Sequence, residues 1–200
     1  LGVKNILCTF HPVTMGQSQS NAETDAVMGA VEDLIKADPA LKFFVTLPNA
    51  DTFSSYIRQS WENLIKRFPA SIESYVNLGD LNYLSLMKYV DVVLGNSSSG
   101  ILEAPFLGKA VVDVGRRQEG RLRSGHILSV PGDRAAIVKS VTQALSSEFQ
   151  KPLEKVDSIY GAGNGSQLVY DILKKQNFPE LLFKRFYDGD VNKPDKVKNG

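Results

Sequence analysis

The segment Gly95-Asn96-Ser97-Ser98-Ser99-Gly100, continued to Glu103, stands between a strand pattern and a helix pattern and organises the predicted fold around it. The apolar, β-branched run ahead of it, residues 89–94, predicts a buried strand. The apolar run behind it, residues 101–107, predicts a short helix with Pro105 in its first turns, where proline costs least. Such a turn aims backbone N–H groups and three hydroxyls at one point, which favours an anion and best a phosphate. Serines that merely cap a helix give the same pattern, so that alternative stays open.

Length and composition limit the kind of protein. The 200 residues suit one domain with a full core or two small ones. The net charge of +1 gives no support to nucleic acid or an anionic membrane as the main partner. No apolar run approaches the roughly 18 residues of a membrane helix. Cys8 lies in an apolar strand pattern and is the single cysteine, so we expect a core residue and a cytoplasmic protein.

Strand and helix patterns alternate along the chain. Strand patterns cover residues 3–10, 42–47, 72–76, 89–94, 110–114 and 127–130, and helix patterns cover 20–37, 52–68, 81–88, 101–107, 134–145 and 166–175. Ser20 and Glu23 predict a capping box at the start of the first helix. The polar tail from Asp188 predicts disorder. We expect a Rossmann-like domain over residues 1–177 and an extension over 178–200.

This alternation predicts an α/β fold, a doubly wound parallel sheet of about six strands in the order 3-2-1-4-5-6. Strands 1 and 4 are neighbours in that order. His11, which ends strand 1, would therefore meet the serine turn at the crevice where such sheets bind ligands. His11 suits a phosphate donor or a general acid or base, and the alternative is a ring bonded to a local carbonyl. His126 begins strand 6, and we expect it to be structural.

Two more features follow strands on the same predicted edge. Glu103 either complements the helix dipole or accepts hydrogen bonds from paired sugar hydroxyls, as in a ribose. Residues 115–123 contain four arginines, of which we expect at least one to face a phosphate, although a solvated loop has the same composition. The glycine-rich stretch 160–166 lacks the spacing of a dinucleotide fingerprint and predicts a loop. The sequence contains neither a Walker motif nor a metal-ligand cluster.

Together these motifs resemble UDP-N-acetylglucosamine 2-epimerases, and the hydrolysing branch most closely. The resemblance spans about residues 3–175 and rests on four stretches, namely 9–14, 95–103, 113–121 and 160–164. The non-hydrolysing branch usually has Asp-Ser-Gly-Gly where this chain has Asn96-Ser97-Ser98-Ser99. The resemblance implies the second, UDP-binding domain of a GT-B fold. Since the chain opens with Leu1 and reaches a core strand at once, we expect the back portion of a longer protein whose first domain is missing here.

The resemblance also assigns roles. His11 would be catalytic, beside the sugar diphosphate. UDP and the UDP-N-acetylhexosamine would be bound by four segments: the serine turn, the helix after it, the loop of residues 115–123 (the arginine loop) and the segment 76–80 near the uracil. The residues assigned to this binding are Asn96, Ser97, Ser98, Ser99, Gly100, Glu103, Arg117 and Leu78. In this assignment the serines hold the diphosphate, Glu103 holds the ribose hydroxyls and Arg117 lies near the phosphates. No cofactor and no metal are expected.

The reaction of the family removes the proton at sugar C2, expels UDP to leave a glycal, and adds water to give the 2-epimer. Its base and water-activating carboxylates belong to the first domain, so we expect this chain alone to bind UDP weakly and not to turn over. A homodimer and a role in sialic acid or cell-surface polysaccharide biosynthesis are also implied. Two other interpretations stay open: a stand-alone nucleotide-binding or regulatory domain, and half of a GT-B glycosyltransferase. The sugar, N-acetylglucosamine or a 2,4-diacetamido relative, is left open too.

Overall fold

The structure, a computed structural model, describes residues 2–13, 17–48, 54–154, 159–161 and 163–182. Its contacts divide the chain into one unit of residues 1–160 and another of residues 161–200. The disorder predicted from Asp188 onward lies outside the described residues. Among the helices of the described segments, none combines the length and the apolar character that a membrane crossing requires.

All strands belong to the first unit. They are β1 Lys4–Thr9, β2 Leu41–Thr46, β3 Ile72–Tyr75, β4 Val92–Gly95, β5 Ala110–Val114 and β6 Ile127–Val130. The helices are α1 Gln17–Ala37, α2 Ser54–Arg67, α3 Gly79–Tyr89, α4 Ser99–Phe106, α5 Arg134–Ala144, α6 Ser147–Gln150, α7 Gly165–Lys174 and α8 Phe178–Leu181, with a 3₁₀ turn at Lys151–Glu154. Helices α7 and α8 belong to the second unit.

The sheet has the order β3-β2-β1-β4-β5-β6, and all five strand pairs are parallel. This confirms the predicted order and fold class. In the β1–β4 pair, Cys8 lies opposite Leu94 and Thr9 lies opposite Gly95. The carboxyl ends of the two central strands therefore stop side by side, and the residues that follow them share one edge of the sheet.

Alternation along the strands divides the core between the two faces of the sheet. On β1, Ile6 and Cys8 belong to the larger core cluster, which includes Trp61 of α2, whereas Leu7 belongs to the smaller cluster with Met87 of α3. Burying an apolar side chain of this size contributes about 1.5–3 kcal/mol, so both clusters hold helices firmly against the sheet. Cys8 is fully buried and burial raises the pKa of its thiol to about 12, which confirms a core residue.

The predicted capping box is wrong. Helix α1 begins at Gln17, so Ser20 is already inside it, and the Ser20 hydroxyl accepts the Val13 N–H at 3.3 Å. Glu23 is buried, and its Cγ would lie 2.4 Å from a Cβ built on Gly132. The Glu23 side chain therefore lies beside the ends of β5 and β6, next to Gly115 and Gly132. Tertiary packing outweighs the local capping signal here.

Two boundaries around the serine turn also differ from the prediction. Tyr89 ends helix α3, and β4 begins only at Val92. Helix α4 begins at Ser99, two residues earlier than predicted, so Pro105 is its seventh residue and lies in its last turn. There the missing N–H leaves the Ile101 carbonyl without its helical partner. The helix ends one residue after the proline, which limits the cost.

Candidate functional site

The turn after β4 begins with a glycine that the packing demands. Gly95 has a φ of 139°, and a Cβ there would lie 2.0 Å from the Thr9 carbonyl oxygen. The next backbone N–H, that of Asn96, donates to the same carbonyl at 3.2 Å. The chain leaving β4 thus lies directly against the end of β1, at a separation that a side chain at position 95 would not allow.

Asn96 ties three segments of this edge together. Its side chain is completely buried; Oδ1 accepts the His11 N–H at 2.8 Å, and Nδ2 donates to the His11 carbonyl at 2.9 Å. Its own carbonyl accepts Arg117 Nη1 at 3.0 Å and Gln118 Nε2 at 2.9 Å. The sequence placed Asn96 among the ligand contacts, but the amide is engaged with the backbone of His11. Asn96 therefore sets where His11 and the arginine loop stand.

The serine turn has backbone N–H groups that the described residues leave without an acceptor. The N–H groups of Gly100 and Ile101 donate to the carbonyls of Ser97 and Ser98, at 3.1 and 2.9 Å. In the part of the chain that the structure describes, the N–H groups of Ser97 and Ser98 themselves have no acceptor. Ser98 is the N-cap residue of α4 and makes no side-chain cap bond. Two donors thus stand free where the helix dipole is positive, as an anion site requires.

A chain of hydroxyl groups runs behind this turn. Thr46 and Thr9 lie opposite each other at the ends of β2 and β1, with their Oγ1 atoms 2.6 Å apart. Thr9 Oγ1 lies 3.1 Å from the Tyr83 hydroxyl, which lies 2.7 Å from Ser99 Oγ. Ser99 Oγ then donates to Ser97 Oγ at 2.9 Å. Thr9, Thr46 and Tyr83 were not predicted from the sequence. The contacts between their hydroxyl groups depend on the register of β1 with β2 and on where α3 packs against the sheet.

Glu103 follows Ser99 by one helical turn, on the same side of α4. Its Oε2 is buried and has no hydrogen-bond partner among the described residues. Burial and the negative charge of Glu103 both raise the pKa of Tyr83, and burial has the larger effect. A buried carboxylate oxygen without a donor is uncommon and marks a position that a ligand donor can fill.

The arginines after β5 divide into different roles. Arg117 reaches the carbonyl of the serine turn, as described. Arg123 Nη2 donates to Asp113 Oδ2 at 3.1 Å and to the Gln118 carbonyl at 3.0 Å. Arg116 pairs with Glu119 at 2.7 Å on the surface. Burial raises the pKa of Asp113, although Arg123 opposes that shift. Of the arginines in this loop, Arg117 is the one that the structure bonds to the turn.

Two remaining predicted residues lie at opposite edges of the sheet. Leu78 is the N-cap residue of α3, the helix that follows β3, so it stands on the carboxyl edge with the serine turn. His126 is buried just before β6, on the amino edge, and burial lowers its pKa. His126 thus lies away from the serine turn, and its structural role stays a prediction. Gln118, which is 3% exposed and bonds the turn, was not predicted, because a polar residue among arginines resembles any surface loop.

Sequence comparison identifies the family. The family described as UDP-N-acetylglucosamine 2-epimerase matches residues 2–174 of this chain. The chain belongs to that family. Among curated 2-epimerase relatives, the hydrolysing GDP/UDP-N,N'-diacetylbacillosamine 2-epimerase of Campylobacter jejuni is 30% identical over 187 residues, which cover 91% of this chain and 46% of the relative. The hydrolysing UDP-N,N'-diacetylbacillosamine 2-epimerase of Legionella pneumophila is 32% identical over 173 residues, 86% of this chain and 42% of the relative.

A further relative is the polysialic acid biosynthesis protein P7 of Escherichia coli, 27% identical over 183 residues, 90% of this chain and 45% of that protein. This epimerase-family chain spans about half the length of the curated relatives it matches and corresponds to their C-terminal half. The predicted resemblance to the hydrolysing branch is confirmed at this level.

Solved structures agree on the fold. The UDP-GlcNAc 2-epimerase of Neisseria meningitidis, solved with UDP-GlcNAc, superposes with a TM-score of 0.70 at 20% identity over 86% of this chain and 45% of that chain. MnaA of S. aureus, solved with UDP, gives a TM-score of 0.71 at 18% identity over 93% of this chain and 49% of that chain. The epimerase-family chain therefore has the fold of one half of a GT-B protein.

Proposed function

We propose that this chain is the UDP-binding half of a hydrolysing UDP-N-acetylhexosamine 2-epimerase. One observation carries the proposal: the serine turn offers free donors to an anion, and Glu103 offers an unpartnered acceptor one helical turn away. A nucleoside diphosphate has both complementary groups, phosphate oxygens and ribose hydroxyls. Membership of the epimerase family supports UDP as that nucleotide.

The diphosphate is assigned to the turn itself. The backbone N–H groups of Ser97 and Ser98 and the Ser97 hydroxyl donate to phosphate oxygens, and the α4 dipole adds favourable potential. Gly100 lets the start of α4 pack closely against β5, since a Cβ at that position would lie 3.2 Å from Val111 Cγ1. The Ser99 hydroxyl donates a hydrogen bond to the Ser97 hydroxyl, which holds the Ser97 side chain in place. Arg117, anchored on the turn, lends positive charge to the phosphates.

The nucleoside is assigned to the two helices that flank the turn. Glu103 accepts hydrogen bonds from both ribose hydroxyls, which a carboxylate accommodates as a pair. The backbone of segment 76–80, with Leu78 at its centre, passes along the uracil. Because α3 and α4 both begin at the carboxyl edge of the sheet, one extended nucleotide reaches both.

His11 is assigned to the departing diphosphate. A base from the other half of the protein removes the C2 proton, and the electron pair of that C–H bond becomes the C1–C2 double bond as the C1–oxygen bond to UDP breaks. His11 stabilises the charge that develops on the leaving oxygen, with its backbone held by Asn96. Water then adds across the double bond, with hydroxyl at C1 and a proton at C2 on the opposite face.

The rest of the proposal concerns the whole protein. The missing half supplies the C2 base and the carboxylates that activate water, so this chain alone binds UDP weakly and does not turn over. The whole protein works as a cytoplasmic homodimer without a cofactor, in sialic acid or cell-surface polysaccharide synthesis. Light scattering of the full-length protein measures the dimer, and assay of free N-acetylmannosamine from UDP-N-acetylglucosamine measures the reaction. Transfer of the sugar to an acceptor without a free epimer would contradict it.

Calorimetric titration with UDP tests the binding site. We expect Ser97→Ala and Glu103→Gln in the full-length protein to weaken UDP binding about tenfold each, the size of a hydrogen bond to a charged group. Ser60→Ala is the matched control, because the Ser60 hydroxyl bonds only the Tyr56 carbonyl of its own helix at 2.8 Å. Unchanged affinity in both site variants would contradict the assignment of the nucleotide to this turn.

A further inference from the structure

The hydroxyl chain behind the serine turn has one order of donors. A hydroxyl carries a single proton, so it donates one hydrogen bond and accepts others. Ser99 gives its proton to Ser97, so in the contact between Ser99 and Tyr83 the tyrosine is the donor. By the same count Thr9 donates to Tyr83, and Thr46 donates to Thr9.

In this order of donors, the hydroxyl proton of Ser97 is the one that is not donated within the series. Ser97 Oγ accepts from Ser99 Oγ at 2.9 Å and from the Ser99 N–H at 3.4 Å. No acceptor for the Ser97 proton lies among the described residues. The hydroxyls behind it polarise one another in the same direction, which makes the last O–H a better donor. An anion in front of Ser97 is the acceptor that this order favours.

Among the linked hydroxyl groups, that of Tyr83 is contributed by a helix, whereas the others lie at strand ends or in the serine turn. Tyr83 lies on α3, and its ring packs against the smaller core cluster. Burial raises its pKa above the ordinary value of 10, so the hydroxyl holds its proton at neutral pH and remains able to donate. Its oxygen joins the strand threonines on one side to the two serines on the other.

We propose that Tyr83 is a positioning residue that acts through Ser97: its hydroxyl donates to Ser99 and so strengthens the Ser97 hydroxyl as a donor to a phosphate of the bound nucleotide. This inference rests on the proposed function. Without the Tyr83 hydroxyl, the Ser99 hydroxyl accepts no hydrogen bond from behind while it donates to Ser97. The polarisation that the chain of hydroxyls passes to the Ser97 O–H is then lost, and Ser97 becomes a weaker donor to the ligand. Because α3 also begins at the segment assigned to the uracil, Tyr83 joins the base and phosphate ends of the site.

Tyr83→Phe in the full-length protein tests this directly, because it removes one oxygen and keeps the ring. We expect UDP affinity, measured by calorimetry, to fall about five- to tenfold, the range for a lost hydrogen bond that supports a charged acceptor. Tyr56→Phe is the matched control. The Tyr56 hydroxyl donates to Asp25 on the surface at 2.7 Å, and its loss should leave UDP affinity unchanged.

A double-mutant cycle separates positioning from mere structure. In the Ser97→Ala background, Tyr83→Phe should change UDP affinity less than about twofold, because the group through which Tyr83 acts is already gone. An equal loss in both backgrounds, or wild-type affinity in Tyr83→Phe alone, overturns the inference. If Ser97→Ala alone leaves UDP binding intact, the inference is overturned; if Glu103→Gln does so as well, the proposed function fails, so the two failures are distinguishable.

Thr46→Val supplies a second variant at the far end of the chain. It removes the first donor with little change of shape, and Thr46 lies well away from the turn in sequence and at the end of β2. We expect a two- to threefold loss of UDP affinity that also disappears in the Ser97→Ala background. Should Tyr83→Phe unfold the protein, as a thermal melt would reveal, Thr46→Val decides: an unchanged affinity or a loss that persists without Ser97 overturns the inference.

Discussion

The turn after β4, residues 95–99, and the loop after β5, residues 115–123, follow neighbouring strands and share one edge of the sheet, yet they are built differently. The turn is held by hydrogen bonds of the fully buried Asn96 and by the hydroxyl chain. The loop joins one buried contact, from Gln118 to the Asn96 carbonyl, to exposed contacts such as the Arg116–Glu119 pair, whose side chains are 79% and 61% exposed.

The difference matters because the two kinds of contact have different strengths. An exposed ion pair contributes about 0–1 kcal/mol, whereas leaving a buried polar group without its partner costs about 1–3 kcal/mol. The turn is therefore held more firmly than the exposed arginines of the loop. The carbonyl of Asn96, which accepts from both Arg117 and Gln118, is where the loop attaches to the turn.

The largest expected effect comes from a comparison of one positive-φ glycine from each region, Gly95 of the turn and Gly120 of the loop. Gly95→Ala should destabilise the protein by more than about 3 kcal/mol, since it combines backbone strain with a collision at 2.0 Å. Gly120→Ala, at φ 84° with no atom within 4 Å, should cost only about 1 kcal/mol from strain. Urea unfolding measures both. Equal costs would show that the turn is no more constrained than the loop.

Asn96→Ala should have the next largest effect. It removes the two hydrogen bonds between Asn96 and the backbone of His11, which we expect to cost about 2–3 kcal/mol of unfolding free energy. Asn82→Ala is the control, since Asn82 donates to the Leu78 carbonyl at 3.0 Å on the exposed side of α3 and should matter by less than about 0.5 kcal/mol. A cost for Asn96→Ala no greater than the control's would remove Asn96 as the residue that fixes His11.

A smaller contrast separates the two donors to the Asn96 carbonyl. Gln118→Ala removes a buried donor and should cost about 1–1.5 kcal/mol, whereas Arg117→Ala removes an exposed one and should cost about 0.5 kcal/mol. Thermal unfolding of the two variants in parallel gives the comparison. The reverse order of costs would mean that the arginine, and not the glutamine, holds the loop on the turn.

The smallest effects concern titration within the arginine loop. Burial raises the pKa of Asp113 above 3.8, so the stability that its protonated form contributes is complete below that pH and is lost as the pH rises through the folded value. The Arg116 guanidinium lowers the pKa of Glu119 below 4.5, so its contribution is present above pH 4.5 and is lost as the pH falls. Carboxyl-carbon NMR titration distinguishes them. A folded Asp113 value below 3.8 would show that Arg123 outweighs burial.

Much of this edge could be predicted from sequence, because the signals were local. The strands 110–114 and 127–130 have the predicted bounds, since continuous β-branched runs between turn residues leave little choice. The strand order followed from the βα alternation and brought His11 beside the serine turn. That Asn96 is the residue which fixes this meeting did not follow, because its partner stands 85 residues away.

What could not be predicted depends on register and packing. Thr9 and Thr46 are ordinary strand residues until the pairing of β1 with β2 places them opposite each other. In the sequence, Tyr83 resembles any aromatic residue of an amphipathic helix. Only the packing of α3 against the sheet brings its hydroxyl to Ser99. The capping box predicted at Ser20 failed for a related reason, since helix α1 begins three residues earlier, at Gln17, and Ser20 is already inside it.

The hold of Asn96 on both backbone groups of His11 has an evolutionary consequence. The position of the histidine backbone is therefore inherited together with the end of β4. Position 96 cannot change alone, and a lineage that lost its amide would have to replace the two hydrogen bonds that Asn96 makes with the histidine.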